Sequence, residues 1–459
     1  MLVNVGFSIF ILIMSGLLVS EIKKIRKGKK KEEAQKDPGM EVKEGGEGLE
    51  PSVSSRPFKI GSFDCDAELP TKHVLISATT GAGKSQMMHT ILDRVLWGVD
   101  QRPSAEKAII TDSGGVFLKS RGTEKDLILN PNDARSLKWN PFLEIKKESD
   151  FDLLAKAVLP DSPYPGKAEW VGYGRNLLID IMKAMKAKGE ADVKKVSFLM
   201  AQAAPEELDE YLVGTASVLL LQPAGEKILQ SVRFEVTDGI RPWRYLDPNG
   251  DFSIRDWIQK GSGTIFMTYK DSEMDAIAPL IRTWLGLAIR ETLSLEEDFN
   301  RRVWFVMDEL DSLGKVDYLD SALSKGRKYG LSVISAIQSI AQLDHKYGHD
   351  LSKVLRSVHV SKIIMRQGSN DDAEYWSREI GEQLKWESSF SNTATHTGVS
   401  TGSSRALQQR RVVLPAELMS LKDLTGYAIL QDRPEISFFE IPLQKYDKKI
   451  EAFIDREEA

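Results

Sequence analysis

The sequence holds one cysteine, Cys65, in 459 residues, so no internal disulfide can form and a reducing compartment suits the bulk of the chain. Its six histidines are scattered and no Cys/His cluster has metal-ligand spacing, so each histidine reads as structural. No Asn-Lys-x-Asp segment occurs, which disfavours a guanine-reading small GTPase. Positive charge is not in excess: a formal net charge of −5 argues against a surface that coats nucleic acid indiscriminately, although it does not exclude a basic channel. What remains is ordinary for a globular protein, with 41% apolar and 28% charged residues and enough length for two or three domains.

Only one apolar run approaches membrane length. Val3–Ser20 reads VNVGFSIFILIMSGLLVS, near the lower limit for crossing a hydrocarbon core of about 30 Å. The following KKIRKGKKK has seven basic residues in the nine positions Lys23–Lys31, which by the positive-inside rule keeps that side cytoplasmic. The charge follows the apolar run rather than preceding it, unlike a cleaved signal peptide. Residues 1–21 are therefore predicted to be a transmembrane anchor, single-pass, with the bulk of the chain cytoplasmic. Residues 22–55 are predicted to be a basic and then flexible linker, because Glu32–Ser55 is rich in Glu, Lys, Gly and Pro without apolar periodicity.

The rest of the chain is organised around KHVLISATTGAGKS, Lys72–Ser85. A short apolar strand, His73–Ser77, runs into a Gly-rich turn and then a helix over Gln86–Val95, the order that a phosphate-binding loop requires. Gly81 and Gly83 let successive backbone N–H groups converge on phosphate oxygens, and the helix adds its positive end. The candidate nucleotide contacts are Thr79, Thr80, Gly81, Ala82, Gly83, Lys84, Ser85 and Gln86. Lys84 suits the β- and γ-phosphates of ATP, and Ser85 suits Mg²⁺. The usual first glycine of the loop is Ala78 here.

A second signature lies downstream, where the nearly all-apolar RVWFVM, Arg302–Met307, delivers Asp308 and Glu309. Asp308 is placed beside Mg²⁺ with Ser85, and Glu309 polarises the attacking water. The next strand, Ser332–Ala336, leads to Gln338, a residue type that can sense a γ-phosphate. Arg327 lies in SKGRKYG after a short helix, Tyr318–Ser324; from spacing alone it reads as a solvated turn residue beside Lys325 and Lys328. Asp112, after the strand Lys107–Thr111, either orients Mg²⁺ or water or caps the Gly114–Gly115 turn.

Ser149–Ile240 changes texture to helical periodicity without strands. This gives a RecA-like α/β P-loop NTPase domain in two parts, 56–148 and 241–445, with an inserted all-α domain at 149–240 and a charged tail at 446–459. Trp170 and Tyr173 in the insertion read as core. Ser388–Arg405, polar and of low complexity, reads as a mobile loop. Tyr427–Leu430 reads as the last strand, and the tail as at most an amphipathic helix.

With these motifs placed, the chain resembles the type IV secretion system coupling proteins of bacterial conjugation (the TraD/TrwB type), which are membrane-anchored hexameric ATPases. The resemblance covers about residues 57–435. It rests on ATTGAGKS, on DSGGVF with LILNPNDARSLKWNPF, on FVMDELDSL and on LSKGRKYGLSVISAIQS. It implies an ATPase that uses ATP and Mg²⁺ to deliver DNA, a relaxase-bound single strand, to a type IV secretion channel from the bacterial inner membrane. Its implied partners are DNA, relaxase and relaxosome proteins, channel components, the membrane and further copies in a homo-hexamer. It also makes Arg327 a finger acting across a subunit interface and Gln338 a γ-phosphate sensor. The family usually has two membrane helices, whereas one is visible here. Two alternatives stand beside it: a nucleotide-gated docking receptor that does not translocate its cargo, and a cell-division-type pump of double-stranded DNA.

Overall fold

Short apolar runs rich in Val, Ile and Phe pair into a ten-stranded sheet in the computed structural model, which describes residues 42–44, 58–61, 63–65, 69–162, 165–395, 398–431 and 435–456. From one edge the order is Val42–Glu44, Ile436–Glu440, Thr425–Ile429, Ser361–Met365, Val74–Ser77, Leu331–Ile337, Arg302–Met307, Glu106–Ser113, Gly263–Tyr269 and Leu127–Ile128. From Ser361–Met365 onward every pairing is parallel. These central strands are buried along almost their whole length, as a parallel sheet covered on both faces demands. The strand that feeds the phosphate-binding loop and the strand that ends in Asp308 are not neighbours; Leu331–Ile337 lies between them.

The anchor Val3–Ser20, the basic run Lys23–Lys31 and most of the linker lie outside the described residues. Among the described residues no helix is long and apolar enough to cross a membrane. The linker is not wholly without structure: Val42–Glu44 adds a short parallel strand beside Ile436–Phe438. That partner, Ile436–Glu440, also displaces Thr425–Ile429 as the last strand of the chain.

Between Leu127–Ile128 and Gly263–Tyr269 the described chain is helical, including Ser149–Val158, Pro165–Ala187, Val193–Ala201, Pro205–Leu212 and Glu226–Ile240. Asp192 caps the third of these by accepting from the N–H groups of Lys194 and Lys195. Trp139, Trp243 and Trp284 are buried edge to face, with ring centroids 6.0 Å apart, where this region meets the long helix Met274–Leu293. Trp170 and Tyr173 do not join a core. Tyr173 is 38% exposed and Trp170 half-buried, because both fall on the solvent side of a helix whose inward stripe is Leu177, Leu178 and Ile181.

A buried ion network holds the first of these helices. Arg255 donates to both oxygens of Asp150 (2.6 and 2.9 Å) and to Glu291 (2.9 Å). Burial raises the Asp150 carboxyl, but the Arg255 guanidinium and the N–H groups of Lys146 and Lys147 outweigh it and hold the group below the usual range. Arg255→Met is expected to cost about 3–5 kcal/mol in urea melts at neutral pH, since it strands a buried carboxylate. The depressed folded pKa means that this stabilisation is present above about pH 4 and lost as the pH falls further, so the gap from the parent protein should narrow in acid.

The segment expected to be a loop is a long antiparallel hairpin, Glu382–Thr395 with Gly398–Arg411, which belongs to a compact unit of its own over 378–413. Its stem is fastened by cross-strand pairs: Arg411 on Glu382 at 3.0 Å, Arg410 on Glu387, and Arg405 over the Trp386 ring at 5.1 Å. The tail is not a helix. Its backbone is satisfied by other elements: Lys449 N–H donates to Lys119, Arg456 N–H to Asn132, and Ile454 C=O accepts from Ala134. Tyr446 stacks on His89 at 4.0 Å and takes Arg121 over its ring at 4.4 Å.

Candidate active site

The phosphate-binding loop leaves the buried strand Val74–Ser77 and is stapled to both neighbouring strands. Ala78 N–H donates to Ile337 C=O (3.2 Å) and Thr79 N–H to Arg366 C=O (2.9 Å). Gly81 (φ +79°) and Gly83 (φ +105°) take the left-handed turns, and a Cβ at Gly83 would meet Leu424 Cδ2 at 2.6 Å. Ala78 is wholly buried and does not have a positive φ, so its methyl packs where a glycine would leave space. The helix that follows, Lys84–Gln101, begins at the lysine itself.

Lys84, Asp308, Glu309, Gln338 and Thr80 come together as one connected chain. Lys84 Nζ lies 3.2 Å from Asp308 Oδ1 and 3.3 Å from Glu309 Oε1. Glu309 Oε1 also accepts from Gln338 Nε2 at 2.6 Å, and Gln338 Oε1 accepts from Thr80 Oγ1 at 3.2 Å. The Gln338 backbone is fixed in turn by Asp311, whose Oδ2 accepts from the N–H groups of Gln338 (2.9 Å) and Ser339 (3.3 Å). Asp308 is tied to the next strand, its N–H donating to Thr111 Oγ1 at 3.1 Å. Glu309 sits in the left-handed region (φ +59°), a conformation that costs a non-glycine residue about 1–3 kcal/mol and is found where a side chain must be aimed.

Burial raises the Asp308 carboxyl, with the Lys84 ammonium opposing. Tyr269 is pushed well above its ordinary value by burial and then by Asp308 and Glu309. Asp308 Oδ1 is buried without a hydrogen-bond partner, an orphaned hard oxygen whose neighbour is the Lys84 ammonium. Together with the exposed Ser85 hydroxyl it forms a donor set that fits Mg²⁺, which takes few protein ligands and keeps the rest for water and phosphate.

A cavity of about 400 Å³ opens above the loop, lined by the loop, Gln86, Glu309 and Gln338 and closed by Asp423, Leu424 and Leu443. The last three, and Arg366, which pairs with Asp423 at 2.6 Å, were not legible as site residues. They come from segments well downstream of the loop in the chain, with no motif of their own; only the Asp-Leu-Thr-Gly turn before a strand marks the place. Gln86 lines the cavity, but its amide is engaged with the tail, donating to Gln444 C=O (2.9 Å) and accepting from Gln444 N–H (3.3 Å).

Asp112 caps the short helix Val116–Arg121 that follows the Gly114–Gly115 turn. Its oxygens accept from Phe117 N–H (3.1 Å) and Leu118 N–H (2.7 Å), while burial and the charge of Asp308 push its carboxyl up to about 7 against those bonds.

Arg327 is not brought to this connected set. It is exposed in a turn at the amino end of Leu331–Ile337, whereas Gln338 follows that strand's carboxyl end, about 20 Å away at roughly 3.3 Å per residue. Its guanidinium makes no hydrogen bond or ion pair among the described residues.

The family model described as the type IV secretion-system coupling protein DNA-binding domain matches residues 57–442. Coupling protein TraD of Escherichia coli (strain K12) is 30% identical over 391 residues, covering 81% of this chain and 53% of TraD. The coupling protein VirD4 of Bartonella quintana (strain Toulouse) is 28% identical over 191 residues, covering 40% of this chain and 29% of VirD4. The chain thus spans about half the length of TraD and less of VirD4. The plasmid coupling protein TrwB, solved in complex with ADP and Mg²⁺, has a TM-score of 0.77 at 29% identity and covers 88% of this chain and 93% of that one. That likeness, together with the large mixed sheet, gives the architecture its class, an α/β RecA-like NTPase fold.

Proposed function

This chain belongs to the type IV secretion-system coupling protein family, and from that premise we propose that it is an ATPase that couples ATP hydrolysis to the delivery of DNA to a type IV secretion channel. The observation that carries the reading is the connected set Lys84, Asp308, Glu309 and Gln338 at one end of the sheet, with Arg327 exposed at the other. Residues 56–148 and 241–445 form the motor domain, and 149–240 its inserted all-α domain. The DNA is a single strand bound to relaxase, the assembly a homo-hexamer, and residues 1–21 the anchor in the bacterial inner membrane.

Lys84 and the backbone N–H groups of Thr80–Ser85 bind the phosphates of ATP. As it does so, the Lys84 ammonium turns from the carboxylates to the phosphate oxygens, and Glu309 is released to accept a proton from water. Ser85 and Asp308 would hold Mg²⁺, which would supply positive charge against the phosphates of ATP. Gln338, already bonded to both Glu309 and Thr80, registers whether a γ-phosphate is present. Arg327 lies too far from its own site, so it serves a neighbouring subunit's site.

The test is steady-state ATP hydrolysis with and without single-stranded DNA across protein concentration. Stimulation by DNA that rises steeply with concentration is expected; hydrolysis indifferent to both would favour a docking receptor that does not translocate. Arg327→Ala is expected to lower turnover by about 10³-fold or more while sparing ATP binding. Loss of ATP affinity in that variant would count against action in trans.

A further inference from the structure

One buried residue lies where the turn of Arg327 meets the strand of the phosphate-binding loop. His73 begins the strand Val74–Ser77, is 3% exposed, and has a positive φ of +61°. Histidine is among the few side chains that tolerate this region, but burial there makes the position an unusual one for it. Its Nδ1 accepts from Val333 N–H at 3.1 Å, and the Leu323 carbonyl stands beside the same ring. Nδ1 as acceptor fixes the proton on Nε2. Burial, then the neighbouring His359 ring 6.3 Å away, hold the imidazole neutral by lowering its pKa to about 3.

Leu323 and Val333 flank the turn Gly326–Tyr329 that carries Arg327: the first lies in the helix that enters it and the second in the strand that leaves it. Arg327 itself is close enough for its charge to act on the His73 ring. The other end of the His73 strand is the phosphate-binding loop, four strand residues away and paired in register with Ile334–Ile337.

We propose that His73 is a positioning residue that ties the finger turn of Arg327 to the strand of the phosphate-binding loop and so holds the finger where a neighbouring subunit's site needs it. This rests on the reading of Arg327 as acting in trans. An imidazole that only filled the core would leave Arg327 indifferent to it. A ring bonded to one flank of the turn and packed beside the other sets where Arg327 stands, and a misplacement of about 1 Å at a reacting centre is worth up to about 10²-fold in rate.

The test uses the full chain and His73→Asn. Asparagine accepts positive φ and keeps an acceptor near Val333 N–H, but its shorter amide cannot reach Leu323. The variant is expected to melt cooperatively, bind ATP with unchanged affinity, and lose kcat by up to about 10²-fold. The decisive readout is mixing with Lys84→Ala subunits, whose own sites are dead but whose fingers are intact. Hydrolysis should be restored, as it should be when Arg327→Ala subunits are mixed with Lys84→Ala. Restoration for Arg327→Ala but not for His73→Asn would place the His73 defect in its own site and overturn the proposal. Failure of both mixtures would overturn action in trans, and the proposal with it. Wild-type turnover by His73→Asn alone would also overturn it.

Discussion

Lys84→Ala is expected to reduce ATP turnover by about 10³-fold or more, because it removes the ammonium aimed at the charge that develops on the transferred phosphate. Phosphate release at saturating ATP measures it, and appreciable remaining turnover would mean that this loop is not the hydrolytic site. A second consequence is local to this protein. In the free chain Lys84 lies within 3.3 Å of two carboxylates, and the side chain of Asp308 is only 9% exposed. Removing the ammonium leaves that buried carboxyl beside Glu309 without compensation, which pushes its already raised pKa further up. A group whose folded pKa lies above its unfolded value stabilises fully below the unfolded value and loses that contribution as the pH rises through the folded one. Lys84→Ala should therefore melt close to the parent near pH 4 and fall behind it progressively toward neutrality. An equal deficit at all pH values would count against the ion pairs.

Glu309→Gln is expected to lower turnover by about 10²–10⁴-fold while leaving ATP bound. The substitution is nearly isosteric, and its amide oxygen can still accept from Gln338 Nε2, which lies 2.6 Å from Glu309 Oε1 in the parent. What disappears is the ability to take a proton. Nucleotide extracted after gel filtration should be ATP, whereas the parent should yield ADP. Recovery of ADP from the variant would show that another group activates the water.

Much of this site was legible because its residues belong to local patterns. Ala78–Ser85 announces a loop between strand and helix, and RVWFVM announces a buried strand whose end must emerge at Asp308. The central strands Gly263–Tyr269, Arg302–Met307 and Ser361–Met365 likewise follow from short apolar runs. Where the chain is governed by distant partners, the pattern is silent. The hairpin Glu382–Arg411 is made by a backbone ladder and by cross-strand Glu–Arg ion pairs, so no apolar alternation betrays it. The tail looked helical by composition, yet its backbone is claimed by Lys119, Asn132 and Ala134, none of them near it in sequence. Leu424 and Leu443 reach the nucleotide cavity by the same long-range docking, with Leu424 N–H donating to Ala82 C=O at 2.9 Å.

Because Leu331–Ile337 lies between the phosphate-loop strand and the carboxylate strand, the sheet itself is a ruler. Adjacent strands stand about 4.8 Å apart, so the two strand tips are held at roughly twice that, by hydrogen bonds of main chain rather than by any side chain in the site. Widening the gap means breaking a ladder buried on both faces; narrowing it means expelling a strand. Substitutions at Lys84, Glu309 and Gln338 thus alter what fills a slot of constant width, and their kinetic effects can be compared with one another as differences of chemistry alone.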